Sequence, residues 1–270
     1  MSISLGTNIA SMQAQRQLQA VGVRQEGGFR RLSSGLRIAI AADDPSGLGI
    51  SNRMRARIRS WDSAARNIQE GISAAGVYDG ALVEVSGILV RMRELGVASL
   101  SGTQSATDVA AMDAEFQALK DELARLAADT DFNGLPILSG VPAGLRITAT
   151  PEDDPVPFRF TNVDPTALGL AGVVLGGAGP DPLAAMDFAI ERIGRARGRA
   201  GADLGRLRSA LATAEQARES LAASESRLRD ADLAEETALM TRDQILQEAA
   251  TSVLGQANLQ PRLALDLLGS

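Results

Sequence analysis

Two adjacent carboxylates, Asp43 and Asp44, stand between apolar stretches in LRIAIAADDPSGLGISNRM, residues 36–54. With Gly47 close by they resemble a divalent-cation or phosphate site, because hard cations take carboxylate oxygens and glycine lets a backbone approach closely. A second acidic run, Glu152, Asp153 and Asp154, offers the same donors. The rest of the chain adds little to such a site. It has no histidine and no cysteine, one lysine (Lys120) and one tyrosine (Tyr78). The commonest general base, the commonest metal ligand and the usual switch near neutral pH are therefore missing, as are disulfides and thiolate ligands. A bare two-carboxylate site is the chemistry left open.

The same residues have a structural account. Proline is favoured at the first helical position, and the residue before it avoids the α region. Asp44 is then expected as an N-cap with Pro45 opening a helix, and Asp43 as a negative charge beside the positive end of that helix dipole. Neither needs a ligand, and no cofactor or metal is expected.

The elements around this stretch are helical. Aromatic residues make up 3% of the chain, so the core must be aliphatic, as in helix bundles and coiled coils. Apolar residues recur in steps of three and four at Val109, Met112, Phe116, Leu119, Leu123 and Leu126. A second such stripe is Ala81, Val85, Ile88, Met92 and Leu95. A third runs from Leu183 through Met186, Ile190, Ile193, Ala200, Leu204, Leu207, Leu211 and Ala214 to Leu221, with Arg197 and Arg218 at seam positions. This is the pattern of coiled-coil seams. Both termini are amphipathic as well, with Leu5, Ile9 and Met12 at one end and Leu246, Ala250 and Val253 at the other. Isolated amphipathic helices are marginal in water, so these ends are expected to pack on each other or on neighbouring copies.

The middle differs. GLRITAT and VPFRFTNV alternate as strands do, around the turn-like PEDDPVP, and GLAGVVLGGAGPDP reads as a loop. The expected fold is mainly α: long antiparallel coiled-coil helices, paired N- and C-terminal helices and a small β-hairpin insertion. The net charge of −6 disfavours nucleic acid as a partner, and the basic cluster Arg192, Arg195, Arg197 and Arg199 reads as a solvated or subunit-facing helix surface. No segment reaches the roughly 18 apolar residues of a membrane span, so no membrane insertion is expected. The start, MSISLGTNIASMQAQRQLQ, lacks the basic and apolar regions of a cleavable signal, which by itself suggests the cytoplasm.

RLSSGLRIAIAADDPSGLGISNRM and ELGVASLSGTQS resemble the N-terminal signature of bacterial flagellins, and DTDFNGLPIL resembles the turn after that family's second helix. SRLRDADLAEETALMTRDQILQEAATSVLGQANLQP resembles the C-terminal signature. Two long signatures in the right order at opposite ends make the resemblance specific. It implies a structural subunit that polymerises into the flagellar filament, not an enzyme. It also implies an extracellular location, reached through the flagellar type III export apparatus without a cleaved signal. Implied partners are other copies of the chain or other flagellins, a flagellin export chaperone, and the hook-associated and cap proteins. The hook–filament junction protein and a non-flagellar coiled-coil adaptor are the alternatives.

The resemblance divides the chain into five parts. Residues 1–42 and 229–270 would be the halves of an inner filament-core domain, and 43–138 and 183–228 the halves of an outer coiled-coil domain. Residues 139–182 would be a short variable region pointing outward. Leu5, Ile9, Met12, Leu246, Ala250, Val253 and Leu254 are the expected core contacts between subunits. A spoke from about Leu36 to Gly49 would join the layers, with Leu36, Arg37, Asp43, Asp44, Pro45 and Gly47 as its hinge and cap residues. Ala39, Ile40 and Ala42 replace more polar residues there and suggest an apolar contact. The family is recognised by the flagellin-sensing Toll-like receptor. Arg91, Leu95 and Glu115 match the contact positions, while Val90 and Ala98 depart from the usual glutamines, so weak recognition is expected. Ser101, Thr103, Ser105 and Thr107 are candidate O-glycosylation sites in a solvated connection.

Overall fold

The computed structural model describes residues 7–139, 145–152, 155–177 and 179–268, with side chains as far as residue 259. Helices α1 (Ile9–Ser34), α2 (Pro45–Ser99), α3 (Ala106–Asp129), α4 (Pro182–Arg229) and α5 (Leu233–Leu268) dominate. Strands β1 (Asp131–Phe132) with β2 (Leu135–Pro136), and β3 (Leu145–Thr148) with β4 (Pro155–Phe158), form two antiparallel ribbons. The chain falls into two compact units, residues 1–56 with 220–270, and residues 57–219.

The second unit is built on a heptad. On α2, Ala64, Ile68, Gly71, Ala75, Tyr78, Leu82, Val85, Leu89 and Met92 are buried at alternating steps of four and three. On α4 the facing stripe is smaller: Met186, Ala189, Ile193, Ala196, Ala200, Leu207 and Ala214. Three ion pairs set the direction. Arg93 meets Asp187 at 2.7 Å, Asp79 meets Arg197 at 3.2 Å, and Asp62 meets Arg218 at 3.2 Å. As the α2 number falls the α4 number rises, so the helices are antiparallel, as expected.

Two expected stripes stand in part, with Val85, Met92, Met186, Ile193, Ala200, Leu207 and Ala214 buried, and shift by one residue at the positions between. Leu82 and Leu89 take the α2 seam, with Ala81 and Ile88 only partly buried at its edge. Leu82 is larger than Ala81 and removes more apolar area from water by facing inward, and Leu89, seven residues on, follows in the same register. On α4, Ala189 and Ala196 take seam positions beside Ile190 and Arg197. Arg197 and Arg218 are therefore not in the seam: they stand at its edge and reach across to aspartates on α2. The α3 stripe stands as expected, with Phe116 and Leu123 fully buried and Met112 and Leu119 packed against the core. A capping box starts α3: Asp108 N–H donates to Ser105 Oγ, and Ser105 N–H donates to the Asp108 carboxylate at 3.0 Å.

The insertion belongs to this core and does not merely point outward. The Tyr78 ring meets Phe158 and Phe160 edge-on, with centroids 5.8 and 5.2 Å away, and its hydroxyl accepts the Thr161 N–H at 2.8 Å. Ile147 of β3 lies over Gly71, where any Cβ would collide with it. Leu170, Val173 and Leu175, expected as loop, are buried, as are Leu168 and Val163, the last expected in the strand that ends instead at Phe158. The flagellin-like turn DTDFNGLPIL is itself a tight hairpin, with Asn133 and Gly134 at φ 54° and 77°. Helix α2 also contains an 18-residue window of mean hydropathy 1.3, long and apolar enough by composition to cross a membrane, which corrects the expectation of none; a third of that window is buried within the fold.

Because one side chain ties the hairpin to α2, Tyr78 substitutions should be graded. Tyr78→Ala should cost about 3–5 kcal/mol of unfolding free energy in urea. Tyr78→Phe, which removes only the acceptor for Thr161, should cost about 1 kcal/mol. Equal losses would mean that the ring packing contributes nothing.

Candidate assembly interface and joint

Two features of the first unit matter for function: a joint where the chain passes between helices twice, and a helix pair with bare outer faces. The joint starts where α1 ends. Gly35 has φ 68° and donates its N–H to Arg31 O at 2.8 Å, a glycine C-cap. The chain then runs beside the α4–α5 junction. Arg37 N–H donates to Arg229 O at 2.7 Å, and Ala231 N–H donates to Gly35 O at 2.9 Å, so Leu36 and Asp230 form an antiparallel bridge. The Arg37 guanidinium adds a bond to Leu228 O at 2.7 Å.

Arg229 is buried at the centre of this arrangement. Its Nε donates to Ile38 O at 3.1 Å, and its Nη1 reaches Ser51 Oγ at 3.4 Å. Ser51 and Arg55 both donate to Glu225 Oε1, at 2.9 and 2.8 Å. One arginine thus links the segment after α1, the start of α2 and the end of α4.

Both aspartates engage backbone. Asp44 Oδ1 accepts the Gly47 N–H at 2.9 Å, and Asp44 O accepts Leu48 N–H at 3.0 Å, so Asp44 caps α2 with Pro45 as its first residue. A Cβ at Gly47 would strike the Asp44 carboxylate and come within 2.9 Å of Ile38 Cδ1, so a side chain there would force the capping carboxylate to move. Asp43 differs from the expectation. Its Oδ2 turns back to accept Ala39 and Ile40 N–H groups, both at 3.0 Å, and closes the turn before the helix. The Ile40 bond, chiefly, holds its carboxyl below the usual carboxylate range. The apolar contact expected from Ala39, Ile40 and Ala42 comes instead from Ile38, which is buried while Ile40 is exposed. Of the second acidic run, Asp153 and Asp154 lie outside the described residues, and Glu152 pairs with Arg57 at 3.1 Å. Asp232 caps α5 through the Ala234 N–H at 2.9 Å.

Helices α1 and α5 are antiparallel. Asn8 Nδ2 donates to Ala257 O at 2.8 Å, Ser11 Oγ donates to Asn258 Oδ1 at 2.9 Å, Arg24 pairs with Asp243 at 3.3 Å, and Arg31 grips Glu236 through two bonds of 2.6 and 3.1 Å. The covered α1 stripe is Ser11, Ala14, Leu18, Val21, Gln25 and Gly28, in steps of three and four. On the opposite face of α1 Ile9, Met12 and Val23 are exposed among the polar Arg16, Gln19, Glu26 and Arg30. Helix α5 leaves Leu246 and Val253 exposed, along with Leu233, Ile245 and Leu259.

The expected core contacts therefore separate. Ile9, Met12, Leu246 and Val253 face out, Ala250 and Leu254 are half-buried on the covered side, and Leu5 lies outside the described residues. Sequence reasoning missed Val23, at 71% the most exposed large apolar side chain among the described residues, although its heptad spacing from Ile9 was readable. On the outer helices Arg91 pairs with Glu115 at 2.8 Å at the surface, but Leu95 is 6% exposed and belongs to the core, which corrects its expected role as a receptor contact. In the α2–α3 connection Ser101 and Thr103 bond to each other at 2.7 Å, whereas Ser105 is the helix cap and Thr107 lies within α3.

The residues of this joint and helix pair lie within two family models. The model for the bacterial flagellin N-terminal helical region matches residues 5–143, and that for the C-terminal helical region matches residues 183–268. A flagellin of Halalkalibacterium halodurans is 37% identical over 97% of this chain and 98% of its own length. The flagellin of Bacillus subtilis is 34% identical, and so is the flagellar filament 30.7 kDa core protein of Treponema maltophilum, each over 97% of this chain and 98% of its own. A crystal structure of Bacillus cereus flagellin covers 55% of this chain and 88% of its own at 30% identity, with a TM-score of 0.48.

The joint gives two measurable expectations. Asp44→Ala should cost about 1 kcal/mol and Arg229→Ala about 2 kcal/mol of stability by thermal unfolding. Because the Asp43 carboxyl is held below its ordinary value, its contribution is present above the ordinary carboxylate pKa of about 4 and is lost as pH falls through the lower folded value. Asp43→Asn should flatten that acid limb, and an unchanged limb would remove the turn-closing role. With both end regions matched and full-length relatives aligned from end to end, this chain belongs to the bacterial flagellins, the structural proteins of the flagellar filament.

Proposed function

We propose that the bare faces of α1 and α5 are the surfaces through which this flagellin polymerises into the extracellular filament that drives swimming. The observation that carries the reading is the set of large apolar side chains left exposed on the two helices, Ile9, Met12, Val23 and Phe29 on α1 and Leu246, Val253 and Leu259 on α5. Apolar area of this kind calls for a further neighbour to cover it. Burying Ile9, Met12, Val23, Leu246 and Val253 between copies would contribute about 25 cal/mol per Å² of apolar area removed from water. The paired joint then serves as the spoke, with layers changing near 42/43 and 228/229, and its work is to aim helices with no catalytic step.

Export through the flagellar type III apparatus without a cleaved signal fits the same features. Neither α1 nor α5 can fold alone, and no cysteine can form a crosslink. A flagellin export chaperone would cover the apolar faces before release, and hook-associated and cap proteins would meet them at the filament ends. Arg91 and Glu115 are the positions open to an innate receptor. Ser101 and Thr103 are the hydroxyls that would carry sugar, at the loss of the bond between them, since a sugar on Ser105 would displace the α3 cap.

The decisive variant is Ile9→Asp with Val253→Asp. Helicity by circular dichroism should be kept while filaments vanish from electron micrographs of polymerised protein. Filaments of ordinary length from this variant would overturn the assignment of the contact faces.

A further inference from the structure

Helices α1 and α5 enclose a notch of about 270 Å³ beside Gly27 and Gly28. Four arginines line it, Arg24, Arg30 and Arg31 of α1 and Arg242 of α5, against two carboxylates, Glu236 and Asp243. Both carboxylates are already engaged, Asp243 by Arg24 and Glu236 by Arg31. Arg30 and Arg242 form no ion pair among the described residues, so the notch carries two positive charges in excess. Arg30 also acts on Asp43, but that carboxylate does not line the notch and accepts the Ala39 and Ile40 N–H groups.

The guanidinium donors are only partly used. Arg31 holds Glu236 through Nε and Nη2, and its Nη1 makes no hydrogen bond among the described residues. That nitrogen lies over Gly27: a Cβ there would stand 3.4 Å from it and meet no other described side chain within 4 Å. Arg24 likewise spends Nε and Nη2 on Asp243 and keeps Nη1. Gly28 lies on the stripe covered by α5, so close packing of the helices accounts for it. Packing on α5 does not account for Gly27, although glycine is the poorest helix former after proline. Leu239 and Met240, both half-buried, add an apolar wall beside which charges are screened less than in open water. Excess positive charge, unspent guanidinium N–H groups and a floor without side chains together make a receptor for an oxyanion. Its volume is that of several waters, at about 30 Å³ each, which admits a phosphate group with part of its hydration.

We infer that this notch binds a doubly charged phosphate-class oxyanion, held by Arg30 and Arg242 and by the unspent Nη1 groups of Arg24 and Arg31. The anion would stand between guanidinium groups of both helices and offset their repulsion, so its binding strengthens the α1–α5 pair. The site is complete within one chain and stands apart from the filament reading. Inorganic phosphate and a phosphate monoester present the same group.

Calorimetric titration of the unpolymerised full chain at constant ionic strength tests this, with inorganic phosphate and glycerol phosphate as probes and sodium chloride as the balancing salt. Phosphate should bind at one saturable site per chain and raise the thermal midpoint of unfolding. Arg30→Gln with Arg242→Gln should weaken binding about tenfold or more at unchanged circular dichroism. Arg53→Gln with Arg59→Gln removes two exposed arginines that do not line the notch and should leave affinity unchanged. Gly27→Leu keeps every charge, fills the floor and should weaken binding as well. Equal binding of both probes supports a site for the phosphate group wherever it is carried, and binding of inorganic phosphate alone supports a site for the free ion. No saturable binding of either probe, an equal loss in the two arginine pairs, or full affinity in Gly27→Leu overturns the inference. Should Gly27→Leu lose helicity, the two arginine pairs decide.

Discussion

Arg229 and the backbone around it set the constraint on which the first unit depends. The chain changes helix twice, once after Ser34 and once after Arg229, and the two passages are hydrogen-bonded to each other. A buried guanidinium needs partners on every side, because an unpaired charge away from water is costly. Here the partners come from Ile38, Ser51 and Glu225, on three separate stretches of chain. The directions of α1, α2, α4 and α5 as they leave the joint are therefore not independent. The aspartates and glycines around it, Asp43, Asp44, Gly35, Gly47 and Asp232, then settle each helix end locally.

Much of this was legible in the sequence for a simple reason: caps and heptads are local. Asp44 before Pro45 announces a helix start, and stepwise three-and-four spacing announces a seam. What the spacing cannot decide is which of two adjacent apolar residues faces inward. Leu82 beside Ala81 and Ala196 beside Arg197 show that this choice follows from the opposing helix, which is distant in sequence. The same limit hid the anchoring of the insertion. Tyr78 and Phe158 each look like ordinary apolar residues of a helix and a strand, and only the fold brings the rings together.

The joint was half legible. Its side-chain caps were visible, but the bridge between Leu36 and Asp230 is made by main-chain atoms, which carry no residue signature. Asp43 marks the boundary between the two cases. Its charge beside a helix start suggested a dipole interaction, yet two unpaired N–H groups, of Ala39 and Ile40, lie closer and claim it. Where a carboxylate can accept two backbone hydrogen bonds, that outweighs a diffuse field at a helix end.

The pairing of α1 with α5 also has a meaning in time. Its hydrogen bonds join residues 205 to 249 positions apart, close to the largest separation the chain allows. Helix α1 is made well before its partner α5. No truncated chain can complete this pair, and loop-closure entropy makes such distant contacts the slowest to form. The pairing is therefore ordered in time: α1 acquires its partner only after α5 has been made, more than 200 residues later.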